Sequence, residues 1–335
     1  TKKAFENAIY VASAIGASSN CPPHLTAIAR HMGIDFGIDN WEKLGHDIPL
    51  LVNCQPAGEH LMEGFFKAGG IPAIMQELIK NNKLHKDLMT VTGKTIAENL
   101  IEKIDIDENI IKSFKNPLVN NAGFIVMKSN FFNSAVMKTS VISSEFRKRY
   151  LSNPTSLNLF EANAVVFEGP EDYHLRINDE SLNIDENSIL MIRGCGPVGY
   201  PGSAEVVNMQ PPDKLLKQGI NTLPTLGDGR QSGTSESPSI LNVSPESAIG
   251  GSLLIVETGD KIKIDLNNSR IDLMISSEEI EKRRKKVKIP KLENQTPWQE
   301  ISRKMVGQLE TGACLETESL YLDITNTKGM PRHSH

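Results

Sequence analysis

Two glycine-rich stretches hold the residue types best suited to chemistry, GCGPVGYPGSAEVVNM at 194–209 and GDGRQSGTSESPS at 227–239. Gly194, Gly196, Gly199 and Gly202 lie in the first and Gly227, Gly229 and Gly233 in the second, which marks backbone that turns sharply or approaches something closely. Hydroxyls at Ser232, Thr234 and Ser235 sit where a substrate could reach them, and Asp228, Arg230 and Glu205 bring charge. Such a set suits proton transfer or the binding of a polar small molecule.

Simpler readings compete with that one. An arbitrary Gly/Ser-rich run is more often a flexible surface loop. The second stretch is not a Walker loop, because no Gly-Lys-Ser/Thr closes it, and GRQSG places Ser232 fourth rather than third, so it is not a nucleophile elbow. Gly93-Lys94-Thr95 resembles the end of a P-loop, but Leu88 stands where its first glycine should be. Glu205, taken alone, reads as a first-turn glutamate following Ser203 as helix cap.

These loops need elements to hold them. Across 1–118 the pattern is helical: Phe5, Ile9 and Ala12 share one face, and Leu25, Ile28, Ala29 and Met32 recur at helical spacing after Pro22-Pro23. Further helices are expected at 59–66, 72–79 and 94–100, with a short buried strand at 48–52. From about residue 117 the texture changes to short β-type runs at 124–127, 135–138, 164–167, 189–192, 253–256, 261–265 and 271–275, which suggests a barrel or sandwich. Charged helix 278–288 and a last helix from Gln295 to about Val306 follow.

Composition sets the outer limits. The 335 residues leave room for about two domains. Hydrophobic content of 39%, charged content of 23% and a net charge of −5 describe a soluble, cytoplasmic protein without the basic footprint of a nucleic-acid binder. No apolar run approaches the ~18 residues of a membrane span. Cys21, Cys54, Cys195 and Cys314 are scattered, with no CxxC clip, and read as reduced thiols.

Four motifs in order, GKTIAENL (93–100), PGSAEVVNM (201–209), GDGRQSGTS (227–235) and SPESAIGG (244–251), closely resemble the dihydroxy-acid and sugar-acid dehydratases. QTPWQE (295–300), VGQLETGA (306–313) and the ending PRHSH are similar to the branch acting on aldonic acids such as arabinonate and xylonate. The resemblance implies a mixed α/β fold: 1–118 as the C-terminal part of an α/β/α domain, and 119–335 as a β-barrel domain with flanking helices. It also implies a hydro-lyase that turns a 2,3-dihydroxy acid into a 2-keto-3-deoxy acid. An iron–sulfur cluster, of the 2Fe–2S type, and magnesium serve that reaction in the family. Their cysteine ligands and several magnesium ligands, including a modified lysine, would precede Thr1, so the chain is expected to be a C-terminal portion with no cluster ligand of its own.

By the same resemblance Ser232 is the base, Thr234 assists or binds substrate, and Glu205 ligates magnesium. Ser18, Ser19 and Asn20 match a substrate-contacting GGSTN-like loop, with Ala17 in place of a glycine and Ser19 in place of a threonine. His335 matches a terminal histidine that reaches an active site, including that of a neighbouring subunit. His24 is read as structural. A small-molecule sugar acid and a homo-oligomer, dimer or tetramer, are the expected partners, with no nucleic acid or membrane. Two alternatives stand beside this reading: a branched-chain dihydroxy-acid dehydratase, and a non-catalytic module that binds or assembles.

Overall fold

The first helix, α1 (Lys2–Ala14), is started by Thr1, whose hydroxyl accepts from Ala4 N, and it buries Phe5, Ile9 and Ala12 as their spacing predicts. This is a computed structural model, which describes all residues except 103, 234, 236, 294, 295, 318–326 and 328–335. Thr234, His335 and the expected helix start at Gln295 lie outside the described residues. In α2 (Cys21–His31) Pro22 and Pro23 occupy the first turn, where a missing N–H leaves nothing unpaired. Its inner face is Pro22, Pro23, Thr26 and Ala29, whereas Ile28 and Met32, expected to pack inward, are 50% and 62% exposed.

Helix α3 (Ile38–Leu44) was not announced by the apolar pattern, because Trp41 is its one buried residue. That indole meets Phe124 edge-on, with ring centroids 5.0 Å apart, and so fastens the helices to the sheet. Helices α4 (Met62–Lys67), α5 (Gly70–Lys80) and α6 (Ile96–Asn99) complete this layer. The strand expected at 48–52 does not form. Leu50 and Val52 make only isolated bridges, to Val119 and Ile111, although both are buried.

One eight-stranded sheet organises the rest. Its strands are β1 (Phe124–Met127), β2 (Ser134–Lys138), β3 (Leu159–Phe167), β4 (Ser188–Ile192), β5 (Thr225–Gly227), β6 (Ile240–Ser244), β7 (Lys261–Asp265) and β8 (Arg270–Leu273). They lie in the order β1-β2-β6-β5-β4-β3-β7-β8, with β3 to β6 parallel neighbours and the remaining pairs antiparallel. Lys128, just after β1, accepts from Ile271 N and donates to Ser269 O, both at 2.9 Å, which joins the first strand to the last. The barrel interior is filled by residues such as Ile125, Met137, Met191, Leu226, Ile240 and Ile262. Short helices α7 (Ser144–Phe146), α8 (Pro170–Arg176) and α9 (Asp213–Leu216) and the longer α10 (Ser277–Lys286) and α11 (Pro297–Met305) flank it. Among the described residues no helix is long and apolar enough to cross a membrane.

The strand expected at 253–256 is instead a 3-10 turn, Ser252–Ile255, packed against the barrel core through Leu253, Ile255 and Val256. A short unbroken apolar run satisfies burial in either conformation, so periodicity does not separate them. Strands β5 and β6 went unread for a related reason. Thr225–Gly227 is three residues long, and 240–244 mixes apolar residues with Asn242 and Ser244.

Loops leaving the C-terminal ends of parallel strands form the crevice where ligands bind in such sheets. Here the loops after β4 and β5 are tied together by Asp228, which is fully buried. Its carboxylate accepts from Gly194 N at 3.1 Å, Cys195 N at 2.9 Å and Ser247 N at 2.8 Å, and also from the Ser247 hydroxyl. The charge read as available to a substrate is therefore spent on holding loops. Glu246 does similar work for Val198 and Gly199, whose N–H groups it accepts. Burial raises its carboxyl above the ordinary range, opposed by those hydrogen bonds. A Cβ on Gly196 would lie 2.5 Å from that carboxyl carbon, so only glycine fits there.

Both oxygens of Asp228 face N–H donors, so the amide of Asp228→Asn would set its NH2 against one of them in either orientation. The expected loss is about 1–3 kcal/mol of stability, read from the urea midpoint. An unchanged midpoint would show that the loops are held by something else.

Candidate functional site

Ser232 emerges four residues after that anchor and lines a cavity of about 680 Å³ together with His174, Asn208, Gln210, Gln231 and Ser235. The lining is mostly amide and hydroxyl. Gln231, buried, is fixed by its Nε2 donating to Ser239 Oγ at 2.9 Å, and Ser239 is bonded in turn to Thr225 and Ser237. The backbone before Ser232 is thereby rigid on both sides: Val207 N donates to Arg230 O at 3.0 Å, and Asn242 N to Gly229 O at 3.1 Å.

Glu205 joins this loop through Asn20. The Asn20 amide nitrogen donates to the Glu205 carboxylate and to Gln231 O, the latter at 3.2 Å. Asn20 stands at the N-cap position of α2 yet makes no capping bond there, its side chain being turned to the site instead. Its oxygen faces Arg230 Nη1 at 3.5 Å, which fixes the amide's orientation. Arg230 also donates to Ser203 O at 2.7 Å and to His24 Nε2 at 3.2 Å. His24, read from the sequence as structural, thus belongs to the network. The signal for it was its position one helical turn after Asn20.

The capping role considered for Ser203 and Glu205 is excluded. No helix begins there, Ser203 is in the left-handed region at φ +51, and its buried hydroxyl has no partner among the described residues. Glu205 is exposed, with its backbone carbonyl held by Asn208 Nδ2 at 2.7 Å.

The 18–20 loop lies against the Ser232 loop. Ser18 Oγ accepts from Asn20 N at 3.1 Å, and a Cβ on Gly233 would fall 2.7 Å from that same oxygen. Ser19 is buried. The structure therefore brings Ser18, Ser19, Asn20, Glu205 and Ser232 into one neighbourhood. His174, on α8, was not anticipated, since nothing in its local sequence separates it from a surface histidine.

Among the described residues no three of His, Cys, Asp and Glu converge on a point that could hold a metal. Cys54, Cys195 and Cys314 are buried. Burial, reinforced by Asp228, Glu171 and Glu246, pushes the Cys195 thiol far above its usual range, the opposite of what a thiolate ligand needs. These residues do not fit an iron–sulfur cluster. Glu205 does fit a hard cation, because magnesium is commonly held by one or two carboxylates with water and substrate oxygens filling the remaining positions.

The dihydroxy-acid/6-phosphogluconate dehydratase C-terminal family model matches residues 109–313, and the corresponding N-terminal model matches residues 1–99. A D-xylonate dehydratase from Caulobacter vibrioides is 55% identical over 336 residues, covering 100% of this chain and 56% of the relative. An L-arabinonate dehydratase from Rhizobium leguminosarum is 42% identical over 284 residues, 84% of this chain and 47% of the relative. A dihydroxy-acid dehydratase from Acetivibrio thermocellus is 35% identical over 320 residues, 95% of this chain and 55% of the relative. The chain spans about half the length of the curated relatives it matches. With both family models aligned along it in order, the chain belongs to the dihydroxy-acid/6-phosphogluconate dehydratase family.

Proposed function

We propose that this chain forms part of a hydro-lyase that dehydrates a sugar acid, an aldonate such as xylonate or arabinonate, to a 2-keto-3-deoxy acid, with Ser232 as the base. The observation that carries the reading is the Asn20 amide, which spans from the Glu205 carboxylate to the carbonyl of Gln231, the residue before Ser232. A proton acceptor and a cation-binding carboxylate are thereby held on one rigid unit.

Ionised Ser232 would take the proton from C2 of the acid. The electron pair of that C–H bond forms the C2–C3 double bond as the C3–O bond breaks. The departing hydroxide takes up the proton that Ser232 removed from C2, which restores the base, so the net loss is one water, and the enol left at C2 becomes the ketone. A serine hydroxyl is a weak acid, and its ionised form needs positive charge nearby. Arg230, two residues away and fixed by Ser203 and Asn20, contributes a permanent charge to the same network. Magnesium, bound through Glu205, would supply a hard positive charge that holds the oxygens of the acid and favours ionised serine.

The polar side chains of the lining and the names of the relatives support this substrate class. Amides and hydroxyls around the cavity suit a polyhydroxylated acid better than the apolar chain of a branched-chain precursor. Relatives named for D-xylonate and L-arabinonate are more similar to this chain than the dihydroxy-acid dehydratase at 35% identity. The non-catalytic reading is tested by the same variant that tests the base.

In the full-length gene product, Ser232→Ala should lower kcat on the sugar acid by about 10²–10⁴-fold, with an unchanged melting temperature. Turnover within a few-fold of the wild type would remove Ser232 from the role of base. Glu205→Gln should leave stability intact, because the side chain is exposed, while raising the magnesium concentration needed for half-maximal activity about tenfold or more. An unaltered magnesium titration would exclude Glu205 as a ligand.

A further inference from the structure

The cavity beside Ser232, about 680 Å³, has walls that the chemistry at the base does not use. Proton removal at C2 and loss of the C3 hydroxyl engage the first three carbons of the acid. With C2 at Ser232, the remaining carbons extend away from the loop after β5 and towards the other walls. Those walls are α8, through Tyr173 and His174, and two loop segments, through Gln210, Asn221 and Thr222. The side chains of His174, Gln210, Asn221 and Thr222 make no hydrogen bond with any described residue. Polar groups that line a cavity and are left unpaired by the fold are suited to orient a ligand.

Helix α8 is fixed firmly enough to measure a substrate. The Tyr173 hydroxyl accepts from Gln210 N at 2.7 Å and donates to Gln210 O at 3.2 Å, which ties the helix to the segment that runs on from Glu205. Tyr173 is buried and meets Phe167, the last residue of β3, edge-on with ring centroids 5.4 Å apart. Arg176 donates to Val166 O at 3.0 Å and pairs with Asp172, which in turn accepts from Glu168 N at 2.9 Å. His174 therefore stands at a set place, solvent-exposed and lining the cavity, with its ring centroid 5.0 Å from that of Tyr173. A neutral imidazole offers one donor and one acceptor, so it pairs with a hydroxyl whichever way that proton points.

We propose that His174 is a specificity-determining residue, which reads the hydroxyls on the tail of the sugar acid, at C4 and C5. The inference rests on the dehydratase reading for the identity of the substrate and deepens it. An acid with a short or apolar tail gains nothing from this wall. A polyhydroxylated tail exchanges water for a hydrogen bond at a fixed distance from the base. His174 binds the end of the acid that does not react, and no bond is made or broken there.

The test uses the full-length gene product with D-xylonate and, as the comparison without a tail, glycerate, which carries the same carboxylate and the same two hydroxyls at C2 and C3. His174→Ala should lower kcat/KM for xylonate about 3- to 10-fold, mainly through KM, while the inhibition constant of glycerate and the melting temperature stay as in the wild type. His174→Gln, which keeps a donor and an acceptor, should recover part of the loss. An unchanged kcat/KM for xylonate, or an equal weakening of xylonate and glycerate, overturns the proposal. A wild type that binds xylonate and forms no 2-keto acid sinks the dehydratase reading, and calorimetry of the same two acids then decides the role of His174. Weaker xylonate binding in the alanine variant with glycerate unchanged upholds that role, and xylonate affinity equal to the wild type overturns it.

Discussion

The buried carboxylate of Asp228 is the constraint from which the site hangs. A charge removed from water is tolerated only when donors replace the lost hydration, and here three backbone N–H groups and one hydroxyl do so. Those donors come from the loop after β4 and from the turn after β6, so satisfying one side chain fixes three segments distant in sequence. Arg230, Gln231 and Ser232 follow directly, and their positions inherit that rigidity. Chemistry that needs a hydroxyl in one place benefits from an anchor that does not touch the substrate.

The helical layer supplies what the barrel lacks. Asn20 stands at the start of α2, where a side-chain cap would ordinarily form, and its amide is spent on Glu205 and Gln231 instead. The two prolines in the first turn soften that loss by removing donors that would otherwise require partners. The edge-on contact between Trp41 and Phe124 keeps helices and sheet in register, so that an amide on one can bridge groups on the other. Glu205 therefore presents an exposed carboxylate on backbone that is itself well held.

Much of the architecture was legible because strands such as β1, β4 and β7 announce themselves as short apolar or alternating runs between turn residues. What escaped depends on contacts remote in sequence. Helix α3 buries one side chain, β5 is three residues long, and the 253–256 run folds as a 3-10 turn because burial, not periodicity, decided it. At the site, Ser232, Glu205 and the 18–20 loop were found through motifs and not through spacing, which says nothing of their meeting in space. Asp228 looks like a functional charge in the sequence and is an anchor in the fold, whereas the hydrogen bond from Arg230 to His24 is in keeping with a structural histidine. The cap reading of Ser203 failed at a single torsion, a positive φ that propensity does not foresee.

The bridge from Lys128 to Arg270 has a consequence beyond the barrel itself. By spanning the gap between the outermost strands, it limits the row of unpaired amides and carbonyls that an open β-sheet would offer to another polypeptide. Strand exchange and ribbon-to-ribbon stacking are correspondingly disfavoured as modes of self-association.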